Sequence, residues 1–416
     1  MSGRGRSGGL TNAQQLRVAS LVSAPGKLAL ASVRNPTALA LAVRRVMQAR
    51  TRCVSLAMFG DSMTQGTGAT AIGTLPTNSI AAHDFALPGV IRRLLDAANG
   101  SQGGGGYIAA SDQGIWAANV THAGSPPLGL AYGPHVALNM NSAVFLSSTG
   151  QSVTIALPAC TDIDILVWEN TATNYGTPSC QFDVSVDGGA AVTYTGQGGT
   201  SVYRLLNALA NCHGLSDATH TINIAWKAVN NCIAGVIFRR ATGINVFNFG
   251  VGSATTHDLL GVSNGTVGNV SAAQTDRVQR ASFQVIPFDV ATIEIGHNDC
   301  SQQAARGLTP AVTAANVQTA ISLLRANPGS PTILLLTGAW PNATQTPYTY
   351  QDYWEPIMAL TDGTTDVAAL RTSDILGTYT QGNAEGLYSD TTHPNSAGYA
   401  VWGGAIAQLL STARAY

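Results

Sequence analysis

Charge is what this 416-residue chain has least of: Asp, Glu, Lys and Arg make up 10% of it, where an ordinary soluble domain carries roughly 25%. Its surface must therefore be covered by Gly, Ser, Thr, Asn and Gln, the texture of an extracellular or particle-bound protein. Lysine is almost missing, two residues against nineteen arginines, which with the abundant Ala and Gly points to a GC-rich genome. No uncharged apolar run reaches the roughly 18 residues that a membrane-spanning helix needs, so no membrane span is expected. The stretch "VASLVSAPGKLALASVRN" is broken by Lys27 and Arg34 and makes a poor secretory signal, while the acid-free start rich in Arg, Ser and Ala has the composition of an organelle transit peptide. There is no CxxC pair and no Cys–His spacing suited to a metal, so no metal site is expected.

Acids are missing altogether before Asp61, whereas residues 1–60 hold nine basic residues: Arg4, Arg6, Arg17, Lys27, Arg34, Arg44, Arg45, Arg50 and Arg52. The rest of the chain is left with twelve basic residues against 22 acids. A basic arm on an acidic body suits docking onto an acidic protein partner of a virion or envelope, and equally an ordinary solvated N-terminal face; no nucleic-acid partner is expected. Of the six cysteines, Cys53 and Cys300 read as buried thiols. Cys160, Cys180, Cys212 and Cys232 cluster in a Gly- and Thr-rich stretch, where two disulfides in any of three connectivities, or none, are open.

With 45% apolar residues the chain can bury a large core. Residues 1–50 read as two Ala-rich helical segments joined at "NPT", Asn35–Thr37, where Asn and Pro suit a helix start. "RCVSLAMF" (Arg52–Phe59) is a short apolar run ending at Gly60, a buried-strand pattern. "LPGVIRRLLDAANG" has Pro at its start, apolar spacing of three to four and a closing Gly100, and predicts a helix. "GSQGGGGY" (Gly100–Tyr107) lacks the Lys-Ser/Thr of a phosphate loop and reads as a flexible loop. From about Leu128 to Arg240 short alternating runs such as "SVTIALP", "DIDILVW" and "HTINIAW" alternate with Gly, Asp and Asn turns, which predicts an inserted antiparallel, sandwich-like β-module. Beyond it, apolar strands again alternate with helices, as in a parallel sheet covered on both faces. The expected organisation is a basic helical arm over 1–50, an α/β core over 51–127 and 241–416, and the β-rich insert over 128–240.

In an open α/β sheet, ligands bind beyond the carboxyl ends of the strands. Immediately after the apolar runs stand Gly60-Asp61-Ser62, then "NFGVGSATT" (Asn248–Thr256), then Gly296-His297-Asn298-Asp299. Near the C-terminus, "SDTTHPNSAGYAVWGG" places Asp390 three residues before His393 and ahead of a last helix. Acyl transfer needs this set. A serine hydroxyl is a weak nucleophile until an imidazole takes its proton. Free histidine, with a pKa near ~6.5, can accept and return that proton. A carboxylate on the far ring nitrogen fixes the tautomer, and backbone N–H groups with an amide side chain bind the oxyanion.

The blocks "FGDSMTQG", "NFGVGS", "EIGHND" and "DTTHPN", in this order, resemble the four motif blocks of the GDSL esterase or SGNH hydrolase superfamily. Their frame, about 52–100 and 241–416, covers over half of the chain. The resemblance implies a flavodoxin-like three-layer α/β/α fold and ester hydrolysis without metal or organic cofactor. It implies Ser62 as nucleophile and first oxyanion donor through its N–H, His393 as base, Asp390 as its orienting partner, and Asn298 as a side-chain donor to the oxyanion. One position departs: the second block commonly reads Asn-x-Gly-x-Gly-Gly, and here Ser253 fills the last slot. The Ser253 N–H is the first choice of donor and that of Gly252 the alternative.

Other candidates read as structural. Asp61 suits loop amides, Asp299 a turn cap and His297 a packed or surface position. The adjacent pairs His83-Asp84 and His257-Asp258 lie outside the blocks. "GVSNG" (Gly261–Gly265) formally matches a nucleophile elbow, but a helical run precedes Ser263 and a turn comes after it, which rejects it. No lid-like apolar helix is evident, and relatives with extra β-modules often act on acylated carbohydrates. Trp168, Trp226, Trp340 and Trp354 offer faces for sugar rings, although core packing is the commoner fate of tryptophan. The sequence therefore predicts an esterase acting on O-acetyl groups of a carbohydrate or cell-envelope glycan, either tail-associated on a bacteriophage or freely soluble in a bacterium. A lipase or thioesterase, and a non-enzymatic glycan-binding particle protein, are the alternatives.

Overall fold

The computed structural model describes residues 33–69, 85–100, 105–110, 119–126, 143–169, 180–196, 202–250, 252–260 and 285–411. Residues 1–32 of the basic arm, the His83-Asp84 pair and Ser263 lie outside them. Among the described residues, fifteen strands join in one sheet. In chain order they are β1 (Val33–Arg34), β2 (Cys53–Gly60), β3 (Gly105–Ala109), β4 (Val120–Ala123), β5 (Val144–Leu146), β6 (Ser152–Glu169), β7 (Gln181–Val186) and β8 (Val192–Thr195). Next come β9 (Val202–Leu206), β10 (His213–Ala228), β11 (Asn231–Arg239), β12 (Gly243–Gly250), β13 (Val290–Glu294), β14 (Thr332–Leu336) and β15 (Val367–Leu370).

The central strands β15-β14-β13-β2-β12 run parallel, and their near-continuous apolar sequences result from burial on both faces. The pleat sorts alternate side chains. In β2, Ala57 and Phe59 enter one core, while Leu56 and Met58 enter the other. Phe59, Phe249 and Phe288 pack together in the first core, with Phe59 stacked on Phe249 at 5.0 Å. The helices α1 (Pro36–Met47), α2 (Leu87–Asn99), α3 (Pro310–Arg325), α4 (Tyr350–Ala359) and α5 (Ser396–Ser411) flank the sheet. Residues of α3 and α4 line the first core and residues of α1, α2 and α5 the second, which makes three layers, α/β/α. In α2, Pro88 sits in the first turn and Gly100 closes the helix in the left-handed region at φ 67°, as its sequence predicts.

Residues 33–50, read from the sequence as part of a docking arm, are built into this body. The α1 stripe Ala38, Leu39, Ala42, Val43 and Val46 is buried, at the three-to-four spacing of a core-facing helix. Asn35 caps α1, and its amide donates to Thr364 O at 2.9 Å and Val367 O at 2.8 Å. β1 pairs antiparallel with β15.

From β3 onward the sheet continues antiparallel through β11, β6, β10, β7 and β8. "SVTIALP" and "DIDILVW" are the two halves of one 18-residue strand, β6. Its first half pairs with β10 and β4, its second with β11 and β9. The change of partners comes around Pro158, which has no N–H to give a ladder, and the β10 register shifts beside it. These strands enclose a third core containing Ile155, Ile165, Phe182, Ile224 and Val236. "GSQGGGGY", expected to be a loop, supplies β3 from Gly105. That glycine adopts φ +140°, and a Cβ there would run into Phe238 O, so glycine is what lets β3 lie against β11. None of the six cysteines, all within the described residues, forms a disulfide.

Candidate active site

Register brings the loops together. Gly250 of β12 and Glu294 of β13 both stand beside Gly60 of β2, so three strands end at one level and their loops leave side by side. Gly60 is obligatory there, since a Cβ would collide with Thr64 Oγ1 and the Glu294 carbonyl. The chain then turns at Asp61, which caps the short helix Ser62–Gln65 by accepting from Met63 N at 2.9 Å. Ser62, the first residue of that helix, is nearly buried and directs its Oγ at His393 Nε2, 2.9 Å away.

His393 comes from the opposite end of the sequence, on the loop before α5. Its Nδ1 meets Asp390 Oδ2 at 2.8 Å. The other carboxylate oxygen of Asp390 accepts the N–H groups of Thr392 and His393, each at 2.7 Å. Burial alone would raise the Asp390 carboxyl, but these backbone and ring hydrogen bonds outweigh it and hold it below the ordinary carboxylate range. Serine, imidazole and carboxylate thus form one unbroken hydrogen-bonded line.

Asn298 leaves β13 through Gly296, in the left-handed region at φ 107°. Its amide nitrogen donates to Ala254 O at 3.0 Å and to Asp61 Oδ2 at 3.3 Å. It therefore ties together the loops after β2, β12 and β13, a role the sequence did not reveal. Asp299, read as a turn cap, is buried and reaches further. It accepts from Thr256 N and Oγ1 and from Thr313 Oγ1 of α3, fixing the loop that carries Gly252 and Ser253. Burial pushes its carboxyl up to about 6 against the pull of those bonds.

Ser253 adopts φ +60°, which explains why glycine is usual in its slot. The left-handed conformation costs an L-residue about 1–2 kcal/mol, and the extra unfolded-state freedom of glycine returns roughly 0.4–1 kcal/mol of that. Ser253→Gly is thus expected to stabilise the protein by roughly 0.5–1 kcal/mol, read from the midpoint of urea unfolding.

His297 is buried and stacks on Tyr350 at 5.0 Å. Burial, together with the nearby His393, pushes it down to about 4, so it is neutral at pH 7. His257 is partly buried, and Asp258 is occupied by Thr255 and Arg306; neither joins the line. Trp354 is in the core and Trp226 donates to Val229 O, whereas Trp340 is half-exposed and packs edge-on against Trp354 at 4.8 Å. The side chain of Trp168 is outside the described residues.

Beneath the serine lies a feature sequence reasoning missed. Asp61 and Glu294 are both fully buried, with their carboxyls close enough to interact. Thr64 Oγ1 donates to Glu294 Oε2 at 3.0 Å, while Glu294 Oε1 is buried with no protein donor. Burial, and then the Glu294 charge, hold the Asp61 carboxyl well above the ordinary range; burial pushes Glu294 up to about 7. The signal was there to find: an acid as the last residue of an otherwise apolar strand.

Residues 229–401 match the model of the GDSL-like lipase/acylhydrolase family. Over this stretch the chain resembles that family. Family members are generally ester hydrolases, and the match takes in Asn298, Asp390 and His393. It begins after the Ser62 block, which the parallel pairing of β2 with β12 and β13 brings back to the GDSL-like core. Among solved structures, the chain is similar to a peptidoglycan O-acetylesterase at 15% identity and a TM-score of 0.59, covering 89% of this chain and 94% of that one. At that identity the likeness is one of fold, and it extends over the antiparallel strands as well as the α/β core. A family two carbohydrate esterase from Clostridium thermocellum, solved with cellohexaose, aligns at 12% identity over 69% of this chain and 97% of its own, with a TM-score of only 0.27. No curated protein matches the chain in sequence. Among the described residues, no helix is long and apolar enough to cross a membrane, and no three His, Cys, Asp or Glu side chains are grouped to hold a metal ion.

Proposed function

We propose that this chain is a GDSL-type serine esterase that removes acyl groups, O-acetyl first among them, from a carbohydrate or cell-envelope glycan. The observation that carries the reading is the line Ser62 Oγ–His393 Nε2–Asp390, at 2.9 and 2.8 Å. Ser62 Oγ attacks the acyl carbonyl while His393 Nε2 takes its proton, and Asp390 holds the ring by its Nδ1–H. The carbonyl oxygen becomes an oxyanion, met by the N–H of Ser62, the N–H of Ser253 (or Gly252) and the amide of Asn298. Of the two Asn298 hydrogen bonds, the one to Ala254 O fixes the amide, and the longer one to Asp61 gives way to the oxyanion. The alcohol departs with the proton from His393. Water, activated by the same ring, then releases the acid and restores Ser62.

The carbohydrate half of the proposal draws on Trp340. Its carbonyl accepts from Tyr388 OH at 3.0 Å, and Asn342 N donates to Thr391 O at 2.8 Å, so its loop is laced to the one bearing Asp390 and His393. An aromatic face beside the base suits a sugar ring, with stacking worth about 1–1.5 kcal/mol. Trp340→Ala is expected to raise KM for an acetylated oligosaccharide about ten-fold and leave turnover of a small aryl acetate unchanged. The deciding experiment is acetate release from a panel of acetylated glycans, with Ser62→Ala and His393→Ala as controls. Good turnover of long-chain esters and none of the glycans would turn the reading to a lipase or thioesterase. No turnover of any ester would leave a binding protein.

A further inference from the structure

We propose that Asp61 and Glu294 hold a single structural proton between them, carried on Asp61 and directed at Glu294, and that this proton keeps the amide of Asn298 available to the oxyanion. Both are positioning residues, and the catalytic half of the inference rests on the esterase reading above.

The burial of both acids, with one oxygen left without a donor, calls for a proton here. Two carboxylates facing each other in a dry interior would both be acceptors, and burying an unpaired charge is among the costliest arrangements a fold can adopt. Glu294 Oε1, buried and without a protein donor, gains one if Asp61 is a carboxylic acid. Glu294 Oε2 is already served by Thr64 Oγ1, and Asp61 Oδ1 by Met63 N. That leaves Asp61 Oδ2, whose remaining contact is the long 3.3 Å bond from Asn298. A neutral acid accepts weakly, in keeping with that length; an ionised one would hold the amide firmly.

The location of the charge is the mechanistic point. With the proton on Asp61, the single negative charge of the pair sits on Glu294. With the proton gone, or the charge moved to Asp61, an anion stands next to Ser62, under the place where the oxyanion forms. The other titratable groups facing the pair are Asp299 from the helix after Gly296 and Tyr399 from α5, with His297, Asp390 and His393 beyond them. Tyr399 is fully buried, donates to Thr67 O and is held far above its ordinary range, first by burial; Asp299, at about 6, is ionised at pH 8. None of these supplies a proton to Glu294 Oε1.

Two isosteric substitutions separate the alternatives. Glu294→Gln gives Asp61 an amide donor and lets it ionise, moving the negative charge under the serine. Asp61→Asn imitates the protonated acid: its amide donates to Glu294 and its oxygen still accepts from Met63 N. On a small aryl acetate at pH 8, Asp61→Asn is expected to keep at least ten-fold more kcat/KM than Glu294→Gln. Infrared difference spectra of the intact protein at pH 8 are expected to show a protonated-carboxyl stretch that both substitutions abolish. Equal activities, or the reverse order, would overturn the role given to the proton. Absence of the infrared band in the unsubstituted protein would overturn the proton itself, and that reading stands even if no ester proves to be a substrate.

Discussion

Ser62→Ala is expected to lower kcat on any ester substrate by roughly 10⁴–10⁶-fold, equivalent to about 5–8 kcal/mol of barrier. The substitution removes one oxygen and little else. Residue 62 keeps its backbone N–H, and Asp61 still caps the short helix through Met63 N, so the oxyanion cradle survives and supplies the residual rate. The lost Ser62–His393 hydrogen bond is worth only about 0.5–1.5 kcal/mol of stability. Activity should therefore collapse while the unfolding midpoint hardly moves. That contrast between a stopped-assay rate and a melting curve identifies a nucleophile rather than a packing serine. Retention of more than a tenth of the activity would move the nucleophile elsewhere, and Ser263→Ala would then be the first comparison.

The candidate site was legible in the sequence because each member of the line comes just after an apolar run or just before a helix, and the ends of parallel strands are where such folds bind ligands. That rule does not specify register. The level pairing of Gly250 and Glu294 with Gly60, on which the convergence of the loops depends, is decided by long-range packing. The three-layer core was equally legible, since strands such as "TILLL" must be buried on both faces. The arm was misjudged through its charges: Arg44, Arg45 and Arg50 drew attention away from the apolar stripe Ala38, Leu39, Ala42, Val43 and Val46 beneath them. The glycine run before Tyr107 was misread because composition distinguishes poorly between a loop and a strand lying against another backbone. The acid pair was missed for a different reason. Asp61 and Glu294 are 233 positions apart in the numbering, and only the fold shows that neither has solvent. Even the long β6 fits this pattern, for each half reads as a strand while the shared identity of the two halves depends on partners that arrive later in the chain.

Asp390→Asn is expected to lower kcat by roughly 10³–10⁴-fold, approaching the loss that the same exchange produces in serine protease triads. The asparagine oxygen can still accept the N–H groups of Thr392 and His393, so the loop stays folded. What changes is the group facing His393 Nδ1, now an N–H₂ donor. The ring must answer with a lone pair at Nδ1, which places its proton on Nε2, where Ser62 Oγ needs an acceptor. Asp390→Ala makes the opposite trade. Water can reach this exposed position and accept from Nδ1–H, so alanine should cost less activity than asparagine. It leaves two backbone N–H groups without their carboxylate, however, and should cost more stability. The folded carboxyl of Asp390 lies below its ordinary value, so it contributes stability above about pH 4 that is lost as pH falls through the folded value; both variants should lack that acid-side loss. Melting curves from pH 3 to 7 beside kcat at pH 7 would show the two orders crossing. If alanine were instead the worse of the two for kcat, Asp390 would be acting by holding its loop, and the choice of tautomer would have to come from another group.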